Sequence, residues 1–90
     1  MLSDIVTVVL TRGENGLFGF YDKITEIVGD GPRIIKIIKG GQAEKDGLIH
    51  VGDEILEINQ KEFTEIDDIG SVIQNSGPFI TLTVRKAGNF

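Results

Sequence analysis

The chain has 90 residues, enough for one domain with a single core but too few to also enclose a deep catalytic cavity. A hydrophobic share of 40% beside 26% charged residues is typical of a globular domain and disfavours intrinsic disorder. The net charge of −5 disfavours nucleic-acid binding, which needs a basic face, and the absence of cysteine excludes disulfides and thiolate metal sites.

The first half of the chain predicts three strands. Residues 5–10 are apolar and mostly β-branched, which favours a strand, and the glycine-containing turn at residues 12–16 ends it. A second strand begins within the glycine-bearing segment 17–21. Residues 33–38 give the clearest strand pattern, and the glycine pair Gly40-Gly41 stops it.

The second half predicts two helices and the remaining strands. Residues 42–46 can form about one helical turn, which Gly47 terminates, and residues 54–58 predict a strand. We expect the second helix to run from about Glu65 to about Asn75, with Thr64 as its N-cap. Residues 79–84 alternate in polarity and predict the last strand.

The predicted order is β-β-β-α-β-β-α-β, which indicates an α+β fold. We expect a small, partly open antiparallel β-barrel of five or six short strands with two helices. Residues 1–86 make up the single domain in this interpretation, and residues 87–90 form a flexible C-terminal tail.

Three segments in register resemble the PDZ domain family. Residues 12–20 resemble its carboxylate-binding loop, residues 40–48 resemble the segment around its first helix, and residues 52–59 resemble the following turn and strand. The strand order is that of animal-type domains. Residues 38–59 are similar to PDZ domains of guanylate-kinase scaffolds, and residues 19–21 and 83–85 to those of polarity complexes.

The resemblance implies a protein-interaction module that binds the C-terminal peptide of a partner by β-strand addition between the second strand and the second helix. Backbone N–H groups of a glycine-bearing loop would hold the peptide carboxylate. The implied carboxylate-binding residues are Leu17, Phe18, Gly19 and Phe20, with Arg12 reaching the carboxylate through water. The implied groove residues are Tyr21, Asp22, Lys23, Ile24, Ile66, Asp67, Gly70 and Ile73.

Two points of the groove stay open in the sequence. Either Asp22 faces the groove, where the family usually has an aliphatic residue, or a bulge shifts the register and Ile24 takes that place. On the helix, Ile66 and Asp67 compete for the position that selects the third residue from the ligand's end. With Ile66 there and no histidine in the helix, the sequence predicts an apolar preference. The loop also holds one residue more than the family's usual Gly-Leu-Gly-Phe, which indicates a small insertion.

No catalytic, cofactor or metal site is expected. His50 has no nucleophile partner in the sequence and is expected to be a surface residue. Asp53, Glu54 and Glu57 are expected to form a solvated face. The expected partners are C-terminal tails of membrane receptors, channels or adhesion proteins, and neither nucleic acid nor a small-molecule substrate is expected.

We expect a cytoplasmic module, mostly monomeric and at the membrane-associated cortex through its partners. An additional hypothesis places Phe90 of one molecule in the groove of a neighbouring copy. Two further alternatives stay open: a regulatory PDZ domain of a larger enzyme, and a dimerisation unit that uses the same strand edge.

Overall fold

A computed structural model describes residues 4–25, 27 and 29–87 of the chain, so the predicted contact of Phe90 lies outside the described residues. Its elements, in chain order, are β1 (Ile5–Thr11), β2 (Phe20–Lys23), β3 (Arg33–Ile37), α1 (Gln42–Asp46), β4 (Glu54–Ile58), β5 (Lys61–Glu62), a 3-10 helix (Phe63–Glu65), α2 (Ile69–Gln74) and β6 (Phe79–Arg85). The strands pair antiparallel in the order β1-β6-β4-β3-β2, with β5 on β4. The predicted fold class and element order are confirmed.

Alternation along the central strand β6 builds the middle of the core. Ile80, Leu82 and Val84 are buried, and the threonines between them are only half-buried. β4 also contributes buried side chains to the core, but without regular alternation, because its register against β6 shifts between Ile55 and Glu57. This irregularity lets Ile55 and Ile58, three residues apart, both point inward. The buried apolar core consists of Leu10, Phe18, Ile34, Ala43, Ile49, Ile55, Ile58, Ile80, Leu82 and Val84.

The carboxylate of Asp53 is fully buried and bonded on several sides. It accepts hydrogen bonds from the backbone N–H of His50 (2.8 Å) and of Ala87 (2.9 Å), and it pairs with the ammonium of Lys86. The bonds tie the end of β6 to the loop before β4. Glu54 is also buried, so the predicted solvated face is wrong for these two residues.

The second helix begins later than the sequence predicted. Thr64 lies inside the 3-10 helix, and Ile66 after it has extended dihedrals (φ −107°, ψ 119°), which interrupt the helical path. Asp68 is the actual N-cap: its side chain accepts a hydrogen bond from the Ser71 N–H at 3.1 Å. The predictions of Thr64 as cap and of a start near Glu65 are therefore wrong.

Candidate functional site

The loop between β1 and β2 requires glycine at position 19. Gly19 has φ +94°, a conformation that L side chains rarely adopt. A Cβ at this position would lie 3.1 Å from the backbone nitrogens of both Gln42 and Ala43 at the start of α1. The loop backbone is thus packed directly on α1, and a side chain here would push the two apart.

Three carbonyl groups of this loop accept hydrogen bonds, one from within the loop and two from the body of the domain. The Leu17 carbonyl accepts from the N–H of Gly13 (2.7 Å), the Phe18 carbonyl from that of Ala43 (3.0 Å), and the Gly19 carbonyl from that of Ile38 (2.9 Å).

In a trans peptide the N–H of the next residue points opposite to the carbonyl, and the described residues contain no cis peptide bond. The N–H groups of Phe18, Gly19 and Phe20 therefore point away from those partners. Within the described chain, the N–H groups of Phe18 and Gly19 have no acceptor, although both residues are buried. Buried backbone donors normally find a partner, so this loop is suited to an anion.

Arg12 fastens the loop to the C-terminal end of α2. Its guanidinium donates to the carbonyl oxygens of Gly16 (2.8 Å), Ile73 (3.3 Å), Gln74 (3.1 Å) and Gly77 (2.8 Å). Its carbon Cζ also lies 4.5 Å from the centroid of the Phe18 ring, beside these bonds. The carbonyls at the end of a helix lack intrahelical partners, so Arg12 completes the last turn of α2. These bonds use four of the five guanidinium N–H groups and leave one, on Nη1.

A cavity of about 470 Å³ opens between this loop, β2 and α2. The aromatic rings of Phe18 and Phe20 contribute to its lining, together with Ile73 on the helix and Ile38 after β3. Its lining thus combines an apolar surface with the donor-bearing loop. Of the residues predicted as site, it gathers Arg12, Leu17, Phe18, Gly19, Phe20, Tyr21, Asp22, Gly70 and Ile73.

A second cavity of similar volume continues the groove towards the N-terminal end of α2. It shares Asp22 and Gly70 with the first cavity, and its further lining residues are Ile24, Asp30, Pro32, Phe63, Ile66, Asp67, Asp68 and Ile69. The alternative between Asp22 and Ile24 is resolved in an unexpected way. The register of β2 against β3 does shift after Tyr21, yet both Asp22 and Ile24 line the groove.

Burial and hydrogen bonding affect two carboxylates of this groove in opposite directions. Partial burial of Asp22 raises its pKa, because desolvation disfavours the charged form. The pKa of Asp68 is lowered by the hydrogen bonds that it accepts from the side chain and backbone of Ser71.

The structure departs from the predicted groove at one residue, and it places a second one differently from the prediction. Lys23 lines neither cavity, because alternation along β2 turns its exposed side chain to the face opposite Asp22. Ile66 does line the second cavity, but it precedes α2 instead of lying on it, and it also packs against the core cluster. Ile38 and Phe63 also line the groove and were missed, because only the folding of distant segments brings them there.

Fold and site together define a small module with an anion-directed loop beside an edge strand and a short helix. A family model described as PDZ domain matches residues 7–85. The sequence is 33% identical to Disks large homolog 3 of Homo sapiens over 94% of this chain, and 40% identical to PDZ domain-containing protein 2 of Homo sapiens over 72% of it. The chain therefore belongs to the PDZ family, whose domains are protein-interaction modules that bind protein partners.

A solved structure agrees with this assignment. The crystal structure of Dlg1 PDZ2 from the choanoflagellate Monosiga brevicollis matches with a TM-score of 0.75 and 29% sequence identity, covering 92% of this chain and 99% of that chain. The chain spans 11% of the length of Disks large homolog 3 and 2% of that of PDZ domain-containing protein 2. Among the described residues, neither α-helix has the length and apolar character that a membrane crossing requires.

Proposed function

We propose that this domain captures the C-terminal tail of a partner protein by adding it as an antiparallel strand to β2, opposite α2. The observation that carries the proposal is the orientation of the N–H groups of Phe18, Gly19 and Phe20, since the preceding carbonyl of each accepts a hydrogen bond on the opposite side. A terminal carboxylate offers the acceptor oxygens that these donors lack. The family assignment supports the same function, since PDZ domains recognise peptides by strand addition.

Strand β2 is suited to receive the peptide because it is an edge of the sheet. Among the strands of the described residues it pairs only with β3, so its other side presents backbone groups to the groove. The last ligand side chain would enter the cavity beside Phe18, Phe20 and Ile73. Burying a leucine or valine there contributes roughly 1.5–3 kcal/mol, consistent with an affinity on the order of micromolar.

The remaining N–H of Arg12 allows this residue to contribute to binding the ligand carboxylate as well as to holding the loop. Its other donors hold the end of α2, so the guanidinium is fixed at the margin of the cavity. From there the single remaining donor can support the carboxylate through a water molecule. Arg12 is thereby a positioning residue for the loop and a source of positive charge near the bound anion.

The proposed partners are tails of membrane receptors, channels or adhesion proteins, which would place the domain in the cytoplasm at the membrane cortex. Its similarity to a small part of the much longer Disks large homolog 3 suits one binding module among others in a scaffold.

The test compares a peptide ending in a free carboxylate with the same peptide ending in an amide. We expect amidation to weaken binding at least tenfold, or about 1.4 kcal/mol, because the amide lacks the charge. Calorimetric titration measures both affinities, and equal affinities would refute end capture. A dimerisation unit on the same edge would instead show a mass that rises with concentration in the absence of peptide.

A further inference from the structure

Asp22 and Gly70 face each other at the midpoint of the groove. Both line the cavity at the carboxylate loop and also the second cavity towards the start of α2. Gly70 is an exposed helical residue, and a Cβ on it would meet only the Asp68 Oδ1 atom, at 3.5 Å. The helix therefore presents no side chain opposite Asp22, and the passage between the two cavities stays wide at this point.

The carboxylate of Asp22 has no cationic partner within the described chain. It is half-buried and forms no salt bridge with a described residue, and the same lack of a salt bridge holds for Asp67 at the rim. The other two acids of the second cavity are engaged: Asp68 caps α2, and Asp30 pairs with Arg33 at 3.3 Å. No lysine or arginine is among the described residues that line this cavity.

Strand pairing fixes which ligand residue would meet Asp22, and this step rests on the proposed function. With the carboxylate held at the N–H groups of residues 18–20, the last ligand residue lies opposite Phe20. In an antiparallel pair each step back along the ligand is one step forward along β2, so the third residue from the end lies opposite Asp22. Directly paired residues point to the same face of the sheet.

We infer that this groove selects ligands with lysine or arginine as the third residue from the C-terminus, and that Asp22 is the residue that determines this preference. A long cationic side chain crosses the space left open by Gly70 and places its charge beside the Asp22 carboxylate, with Asp67 adding a second negative charge at the rim. Its aliphatic stem lies on Ile69 and Ile66, which line the same cavity. An ion pair in a half-buried groove is screened less than one on the open surface.

A cationic preference at this ligand position differs from the apolar preference expected from the sequence. That expectation placed Ile66 on the first turn of the helix, whereas Ile66 precedes α2 and packs on the core. An apolar ligand side chain would cover the Asp22 carboxylate without pairing it, which is unfavourable. The raised pKa of Asp22 reflects the same desolvation.

The test uses three free-acid peptides that end in valine and differ only at the third residue from the end, which is lysine, glutamine or glutamate. Wild-type domain should bind the lysine peptide at least tenfold more tightly than the glutamate peptide, with the glutamine peptide between them. Asp22→Asn should reduce the lysine-to-glutamine ratio to about 1, and Asp22→Lys should favour glutamate. Raising the salt concentration should shrink the wild-type ratio.

Asp46→Asn is the matched control, since it changes net charge equally at a half-buried site on α1, outside both cavities. It should keep the wild-type ratio. Equal affinities for the three wild-type complexes, or a lysine preference that survives Asp22→Asn, would overturn the inference. An amidated lysine peptide in the same series separates this outcome from failure of the proposed function, because acid-over-amide preference can persist without any choice at the third residue.

Discussion

Replacing Arg12 tests whether the carboxylate loop and the end of α2 form one mechanical unit. Arg12→Met keeps an unbranched stem beside the Phe18 ring and removes the guanidinium that holds four carbonyl oxygens. Arg12→Lys keeps the charge but replaces the planar guanidinium by a single ammonium. The ammonium cannot reach the loop carbonyl and the carbonyls at and after the end of α2 at the same time.

The expected cost follows from these contacts. A hydrogen bond to a charged group contributes about 1.5–3 kcal/mol when buried, but water can replace part of this at a half-buried site. Stacking on Phe18 adds roughly 0.5–1 kcal/mol. We therefore expect Arg12→Met to lower the free energy of unfolding by about 2–3 kcal/mol, and Arg12→Lys by about half as much. For a domain of this size, 2–3 kcal/mol lowers Tm by roughly 10–20 °C.

Urea denaturation followed by circular dichroism measures the change, and peptide titration of the same variants measures its effect on binding. Lys39→Met, which removes an exposed cation from a turn, is the control and should stay within about 0.5 kcal/mol of wild type. A loss below about 0.5 kcal/mol in Arg12→Met would show that the four bonds do not hold the loop to α2. Unchanged peptide affinity in a destabilised Arg12→Lys variant would refute its positioning role.

Three further substitutions probe the same groove. Gly19→Val should abolish peptide binding and also destabilise the domain by about 2–3 kcal/mol, because a β-branched residue at φ +94° meets backbone nitrogens at 3.1 Å; retained binding would show that the loop is not the carboxylate site. Gly70→Ala should stabilise the domain by about 0.5–1 kcal/mol in denaturation experiments while weakening binding of the lysine peptide, and an unchanged affinity would contradict the open passage. Asp22→Asn should stabilise the domain at neutral pH, because burial raises the pKa of Asp22 in the folded state and its carboxylate form opposes folding. This advantage should vanish as pH falls through that raised pKa towards the ordinary aspartate value of about 3.9, and a pH-independent difference in unfolding free energy would contradict the sign.

The sequence predicted correctly those secondary-structure elements that are determined by residues close together along the chain. The β-branched runs gave β1, β3 and β6, and Gly47 ended α1 in the left-handed conformation as expected. The start of α2 was misplaced because Thr64 and Asp68 are both good caps, and the extended backbone at Ile66 depends on its packing against the core. Buried Asp53 was missed because its partners come from the far end of β6.

In the candidate site too, features set by one continuous segment could be predicted, whereas features set by distant segments could not. The close backbone approach in the loop proposed to hold the carboxylate could be predicted, because the loop is one continuous segment and contains Gly19. On the opposite wall, the predicted residues Ile66, Asp67, Gly70 and Ile73 all line the cavities. That Ile66 and Asp67 precede α2 could not be predicted, because it depends on where the helix begins, and the register shift after Tyr21 depends on β3. Only the folded chain brings Asp22 opposite a residue without a side chain.

The most direct test of the central claim is an amide chemical-shift titration by NMR with a free-acid peptide and its amidated counterpart. If the loop holds the terminal carboxylate, the amide protons of Phe18, Gly19 and Phe20 should move strongly downfield with the acid, and this movement should largely disappear with the amide. Shifts confined to the outer face of β1 and β6, around Val9 and Thr81, with unchanged loop amides, would contradict the account.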